Sequence, residues 1–385
     1  MWRFVALGLV IIVVIVAGIS LMDTRSAEEV SASAVLVDMQ VDTSGFAQAI
    51  GPWEWQFPQD FGPHPDFQTE WWYYTGNLAD EAGRRFGFQF TIFRRAITPQ
   101  TVVSHSEWRT NQIYMAHFTI SDIEGQRFFH DERFSRGSAG LAGAEIDPLY
   151  RVWLEDWQVI ALDADAVRTR ITASMAGAAL DVTLEQVKPP ALQGEQGLSP
   201  KNDEPGNASY YYSLSRLLTT GTLTIAGETF SVSGTTWKDH EFSTSALGAD
   251  ALGWDWFGLI FDDQREMMIG QIRLTDGGRE PAFGGLLIEA DGSTRYLPSE
   301  RFTITPTGSW LSPHSGAEYP SGWTIRADIG EAEPLVFTLT PLMADQELYG
   351  SGIVYWEGAV RIDGDVTGYG YAELTGYVDA MTGRF

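Results

Sequence analysis

The chain has 385 residues, more than one hydrophobic core usually organises, so two domains are expected. With 44% hydrophobic, 13% aromatic and 20% charged residues it folds rather than staying disordered, and the Phe, Tyr, Trp and Gly content favours strands over helices. A net charge of 25 − 51 = −26 repels phosphate backbones and excludes nucleic acid as a partner, while the absence of Cys excludes disulfides, thiolate metal sites, a Cys nucleophile and a lipoprotein anchor.

The chain opens with an apolar run from Phe4 to Met22 preceded by Arg3. Such a run is long enough to span a bilayer, and the basic residue in front orients it with the N-terminus inside. Residues 1–22 are therefore read as a signal anchor or, because Ala32-Ser33-Ala34 resembles a cleavage site, a signal peptide. In either case the remainder is exported. In a diderm bacterium it lies on the periplasmic face of the inner membrane when anchored, or in the periplasm or medium when cleaved. Residues 23–50 form a flexible tether.

From Trp53 onward, short apolar–polar alternations are separated by turn residues. Strands are expected at Trp71–Leu78, Arg85–Arg94, Gln112–Ser121, Val152–Ala161, Val167–Met175, Leu180–Val187, Tyr210–Leu214, Thr220–Ile225 and Thr229–Trp237. The Pro-, Gly- and charge-rich stretch 188–207 reads as a surface loop. The second half adds Trp254–Phe261, Met267–Leu274, Gly284–Glu289, Ser293–Leu297, Phe302–Pro306, Trp323–Ala327, Pro334–Pro341, Tyr355–Ile362 and Val366–Leu374, with a further piece at Gly376-Tyr377. No amphipathic helix is evident after the anchor. This strand density implies antiparallel barrels or sandwiches. The small-residue segment Ser243–Leu252 marks a seam, giving domains at 51–243 and 244–385.

No nucleophile elbow, phosphate loop or paired-His metal motif occurs. His105, Glu107 and His117 have no metal-specific spacing, so no metal site and no cofactor are expected. Aromatic residues crowd beside ionisable ones in three places: Phe57–Leu78, Tyr210–Phe242 and Gly253–Gly258. Aromatics in a barrel are ordinarily core, and Asp/His pairs often cap its turns. The ionisable groups in these segments nevertheless suit chemistry on a double bond. A carboxylic acid kept protonated by apolar surroundings can protonate carbon, aromatic faces stabilise the cation, and a base takes a proton from water. Strand alternation puts Lys238, His240 and Phe242 on one face and Trp237, Asp239 and Glu241 on the other, and it sets Asp255 opposite Trp254 and Trp256.

The stretches PQDFGPHPDFQTEWWYYTGNL, YYYSLSRLLTTGTLTIAGETFSVSGTTWKDHEF, GWDWFGL and YWEGAVRIDGDVTGYGYAELTGY resemble the carotenoid 1,2-hydratase (hydroxyneurosporene synthase) family and its exported AttH-type relatives. The resemblance runs from about Trp53 to Tyr377. It implies an all-β fold of two lipocalin-like antiparallel β-barrels, a hydrophobic isoprenoid or lipid ligand, and at one end of the family cofactor-free hydration of a terminal double bond. Carried over position by position, His240 and Asp255 fit the charged members of the family's proposed catalytic set. Phe242 stands where the hydratases have Trp, and Gly253 where they have Tyr, which counts against carotenoid hydration itself.

Two functions follow as expectations. One is a hydro-lyase with Asp255 as proton donor and His240 handling water, its ligand held by Trp237, Phe242, Trp254, Trp256, Glu70, Trp71 and Trp72. The other is a membrane-tethered, non-enzymatic lipid carrier working with an exporter. The enzyme reading requires His240 and Asp255 on the same side of one cavity.

Overall fold

The computed structural model describes residues 43–100, 104–244, 247–350 and 352–381. The expected anchor and most of the tether lie outside these residues. No helix among the described residues is long and apolar enough to cross a membrane. The described helical segments are two single 3₁₀ turns, Gln59–Phe61 and Ser299–Arg301.

The first thirteen strands are β1 (Thr69–Asp80), β2 (Arg85–Ala96), β3 (Gln112–Asp122), β4 (Arg127–Arg136), β5 (Ala142–Glu145), β6 (Arg151–Leu154), β7 (Trp157–Ala161), β8 (Arg168–Met175), β9 (Ala178–Gln186), β10 (Ala191–Leu192), β11 (Leu198–Pro200), β12 (Ala208–Ile225) and β13 (Glu228–Ser243). They form one antiparallel sheet in the order β4-β3-β2-β1-β13-β12-β9-β8-β7-β6-β5, with β10 and β11 added alongside β12. The sheet rolls into a nearly closed barrel. Phe90 on β2 and Phe118 on β3 reach across the interior to Trp157 on β7. Arg133 on β4 lies over that same indole, near where the two ends of the sheet meet.

A second sheet follows: β14 (Ala251–Phe261), β15 (Glu266–Leu274), β16 (Gly285–Ile288), β17 (Thr294–Leu297), β18 (Phe302–Pro306), β19 (Ser309–Leu311), β20 (Glu318–Pro320), β21 (Trp323–Ala327), β22 (Leu335–Pro341), β23 (Glu347–Leu348), β24 (Tyr355–Gly364) and β25 (Gly368–Leu374). Its order is β17-β16-β15-β14-β25-β24-β22-β21-β18, with β23 beside β24 and β19–β20 as a separate hairpin. Phe257 and Phe261 on β14 meet Trp323 on β21 and Phe337 on β22 across the inside. The expected all-β architecture of two lipocalin-like barrels is thus what the chain forms.

Both interiors are filled with side chains. The first holds Phe61, Trp72, Tyr74, Phe88, Phe90, Phe118, Trp157 and Tyr212, all buried. Each such aromatic contributes roughly 2–3 kcal/mol through removal from water, and together they leave little interior space. Strands away from the seam alternate, as β9 does from Ala178 to Leu184. The central strands do not: β1 is buried almost throughout from Thr69 to Leu78, and β13 from Thr236 to Ser243. Their outer faces are covered by the second barrel, so both faces lose water.

The two barrels dock β1, β2, β12 and β13 against β14, β24 and β25. Asn77 Nδ2 donates to Gly370 O at 3.0 Å, and Trp237 and Trp256 meet edge to face. Two glycines permit the close approach. A Cβ on Gly258 would lie 3.2 Å from the Trp237 ring, and one on Gly87 would lie 2.5 Å from the Tyr371 hydroxyl. At one side of the seam, fully buried Glu266 receives Lys188 Nζ at 2.8 Å and Arg216 Nε at 2.5 Å from the first-barrel half.

The structure corrects the expected elements in several places. Residues 188–207 are not a free surface loop: Ala191 and Gln193 are buried, and β10 and β11 pair with β12. The expected strand 152–161 is two strands, broken at Glu155, which takes a left-handed φ of 56°. β4 carries the polar run HDER, which hid its alternation, and both its faces are half-buried. Strands expected to end at Leu214 and begin at Thr220 are one bulged strand, β12. Gly376-Tyr377 is not a strand.

Candidate functional site

Alternation along β13 divides its polar residues between two different environments. Lys238, His240 and Phe242 turn towards the first barrel; Trp237, Asp239 and Glu241 turn towards the seam.

The first-barrel side is a closed network. Glu70 Oε1 accepts from His240 Nε2 at 2.9 Å and His64 Nδ1 at 2.8 Å, while Oε2 accepts from Arg94 Nε at 2.9 Å. His64 Nε2 lies 3.0 Å from Asp60 Oδ1, so both its ring nitrogens face carboxylates and both donate. Its pKa is raised despite its burial, by hydrogen bonds to Asp60 and Glu70. Burial alone would raise Glu70, but Arg94 and the two imidazoles hold it well below the usual carboxylate range. His240 is pushed down to about 4 by burial and is neutral, its Nδ1 accepting from the Tyr212 hydroxyl at 2.9 Å. His64, Glu70 and His240 would offer three ligand atoms to a metal ion. The imidazolium of His64 and the guanidinium of Arg94 already supply the positive charge there, and a further cation would be repelled. Trp72 stacks on His240, and Phe242 stacks on His64. Lys238 projects into an aromatic box of Phe61, Tyr74, Tyr150 and Tyr212, where burial pulls it down to about 7.

The seam side opens into a cavity between the barrels of about 120 Å³, which widens into solvent at its mouth. Apolar walls come from Trp71, Phe93, Trp254, Trp256, Ile272, Phe283, Ile353 and Met381. Polar groups converge from seven strands: Tyr73 on β1, Thr91 on β2, His117 on β3, Tyr211 on β12, Asp239 and Glu241 on β13, Tyr355 on β24 and Glu373 on β25. The mouth continues past Lys201 and Leu247 into a polar vestibule with Gln48, Asn202, Glu204 and Asp250.

Two carboxyls in this cavity titrate near neutrality. Burial raises Asp239 to about 7, although Ser213 Oγ (2.5 Å), Tyr211 OH (2.6 Å) and Trp237 Nε1 (2.7 Å) all donate to it. Trp256 Nε1 in turn donates to Tyr211 OH at 3.1 Å, which fixes that hydroxyl. Burial also raises Glu373 to about 7, and its described hydrogen bond is one from Trp254 Nε1 to Oε2 at 3.0 Å. Glu357 pairs directly across from Glu373 on β24 and is raised well above the ordinary value, by burial and then by Glu373. Lys201, at the mouth, sits 2.6 Å from Glu241 Oε1. Acids therefore outnumber cations in an apolar setting, and the protonated forms of Asp239, Glu373 and Glu357 are favoured.

This geometry corrects the expected catalytic pair. His240 belongs to the first-barrel network. Asp255 belongs to neither that network nor the cavity: Gln271 Nε2 (2.8 Å), Arg273 Nε (3.1 Å) and Tyr377 OH (3.0 Å) donate to it on the opposite face of β14. Trp254 and Trp256 occupy the cavity face, and the only register shift in the β14–β15 ladder lies before them, between Ala251 and Gly253, so nothing turns Asp255 inward. Burial raises Asp255, against Arg273 and its other donors. Of the expected ligand-binding residues, Trp71, Trp254 and Trp256 line the cavity, Trp237 backs it through Asp239, and Glu70, Trp72 and Phe242 face the first barrel. Sequence reasoning missed Glu373, Tyr73, Tyr211, Tyr355 and His117 as site residues. The available signal was an acid in the middle of an apolar strand, as in Tyr-Ala-Glu-Leu at 371–374.

The profile of the AttH-like family matches residues 48–377. The crystal structure of an AttH-type protein (NE1406) from Nitrosomonas europaea is 35% identical, covers 86% of this chain and 100% of its own, and superposes with a TM-score of 0.76. Kievitone hydratase from Nectria haematococca shares the fold at 16% identity, covering 89% of this chain and 98% of its own with a TM-score of 0.65. No curated protein matches the chain. With the profile spanning nearly all described residues, this chain belongs to the AttH-like family.

Proposed function

We propose that this protein binds an acyclic isoprenoid or similar lipid in the cavity between its barrels and hydrates a carbon–carbon double bond without a cofactor. One observation carries the reading: Glu373 and Asp239, two buried carboxyls held near neutral pKa, face an aromatic cavity that is open at one end. Glu373 is the better donor, because three hydrogen bonds hold Asp239 whereas a single indole N–H binds Glu373. Glu373 gives its proton to the less substituted alkene carbon, and the π electrons form the new C–H bond. The tertiary cation rests between the faces of Trp71, Trp254 and Trp256, with the Asp239 carboxyl nearby. Water adds to the cation, and the proton it sheds restores the acid, so alkene and water give a tertiary alcohol. That the same fold carries a hydratase in N. haematococca supports this reading by analogy of scaffold only. In this reading the N-terminal run anchors the chain at a membrane on the exported side.

The test is incubation with squalene, an acyclic isoprenoid with trisubstituted double bonds, in ¹⁸O-labelled water. Formation of labelled alcohol by the wild type and its loss in Glu373→Gln support the proposal. Native mass spectra showing unaltered lipid held equally by both proteins would leave the carrier reading in its place.

A further inference from the structure

Along the cavity wall a row of polar side chains runs from the rim to the inside. Glu132 on β4 is partly exposed, and its Oε2 lies 3.0 Å from His117 Nε2. His117 is buried, and its Nδ1 lies 2.7 Å from the Tyr355 hydroxyl. Tyr355 in turn faces the fully buried carboxyl of Glu357, two residues along the same face of β24. Neither Glu357 oxygen has a hydrogen-bond partner, and the Tyr73 hydroxyl beside it is also unpartnered. An unpaired acid enclosed at the seam is costly unless it has work to do.

The roles along the row are fixed by chemistry. A carboxylate at Glu132 can only accept, so His117 carries its proton on Nε2 and leaves Nδ1 as an acceptor. Tyr355 must then donate to Nδ1; its oxygen accepts from Gln89 Nε2 at 3.4 Å and keeps a second lone pair on the side of Glu357. The described hydrogen bonds run outward from Tyr355 O–H to His117 Nδ1 and from His117 Nε2–H to Glu132, and the Glu357 carboxyl lies beside Tyr355 without being bonded to it at rest.

We propose that Glu132, His117 and Tyr355 form a proton path joining solvent at the rim to the enclosed carboxyl of Glu357, with Tyr73 as its exit to the cavity. In an outward transfer the Glu357 proton moves to the Tyr355 oxygen, the Tyr355 proton to Nδ1, and the Nε2 proton to Glu132. Glu357 is left as a carboxylate and Glu132 as a carboxylic acid; one proton has moved and no other group has changed charge. The reverse transfer restores the row. The path deepens the function proposed above, because a carbon-protonating acid beside Glu357 has to be reset to its protonated state, but its test requires no substrate.

The test is infrared spectroscopy of the full-length protein after transfer to D₂O. The C=O stretch of a protonated carboxyl shifts when its proton is replaced by deuterium, and Glu357→Gln identifies the Glu357 band. The path predicts that Tyr355→Phe and His117→Gln each slow deuteration of that band by about tenfold or more, the size of effect seen when a proton-transfer partner is lost. General loosening of the fold would speed exchange instead, so slowing is not a structural side effect. Wild-type exchange rates in both variants, or no carboxyl band missing in Glu357→Gln, overturn the proposal. Intact path behaviour with no alcohol formed from squalene counts against the hydratase reading and not against the path.

Discussion

The two faces of β13 hold two buried polar clusters a single strand apart, and they differ in charge balance. On the first-barrel face, the carboxylates of Glu70 and Asp60 meet Arg94 and the imidazolium of His64, and the hydrogen bonds close on themselves. On the seam face, Asp239, Glu357 and Glu373 gather with no cation bonded to them among the described residues. A balanced cluster stabilises and specifies a fold. An unbalanced one keeps protons at neutral pH, and that is a property chemistry can use. Residue types alone do not separate the two cases, since both contain carboxyls beside aromatics.

The largest expected effect comes from breaking the balanced side. Glu70→Ala leaves Arg94 and His64 buried without their acceptor and is expected to cost about 3–5 kcal/mol. Urea denaturation should show the loss, with lipid binding falling only in step with unfolding. On the unbalanced side, Glu373→Gln should lower turnover by about 100-fold or more. Its stability at pH 7 should stay the same or rise, which the same denaturation series checks.

The pH dependence of stability sharpens the contrast. The folded pKa values of Asp239 and Glu373 lie above their unfolded values, so the folded state binds more protons and stability falls as pH rises from about 4 to about 7. The cost is on the order of 3 kcal/mol for each group acting alone. His240 has the opposite sign: its folded pKa of about 4 is below the unfolded value of 6.5, so it contributes stability above 6.5 that is lost as pH falls towards 4. Asp239→Asn should therefore remove part of the loss seen on raising pH, and His240→Gln part of the loss seen on lowering it. Opposite results in chemical denaturation from pH 4 to 8 would reverse the assignment of the two faces. The smallest effect is expected from Trp254→Phe, which removes the one indole donor to Glu373. The pH midpoint of the Glu373-dependent activity should move up by about half a unit.

Much of this architecture was legible in the sequence. Phe302–Pro306 and Trp323–Ala327 appear as strands with the expected bounds, and the alternation rule placed Lys238, His240 and Phe242 opposite Trp237, Asp239 and Glu241. The same rule warned that Asp255 and the tryptophans beside it could not share a cavity. The pair carried over by family resemblance, His240 with Asp255, fails on that ground. What could not be read was the partner of each face. Nothing local in Tyr355-Trp-Glu357 or in the polar run around Glu132 shows that β24 and β4, more than 200 residues apart, enclose one cavity wall with β3. Such pairings are set by how two rolled sheets dock, which depends on surfaces assembled from many strands. Lys188 and Lys201 look like loop charges for the same reason, yet one pairs with Glu266 and the other stands at the cavity mouth.

The docked seam also bears on how the chain is made. The strands that present Tyr73, Tyr211 and Trp237 are complete by Ser243, while their covering strands end at Leu374. At translation rates of about 5–20 residues per second, the last covering strand is complete roughly 7–26 s after the first barrel, and Glu266, the partner of Arg216 and Lys188, is made about 1–5 s after it. During that interval the nascent chain is a sticky half-product. In a crowded cell the order of synthesis makes this flank the part of the nascent chain most open to non-native contacts.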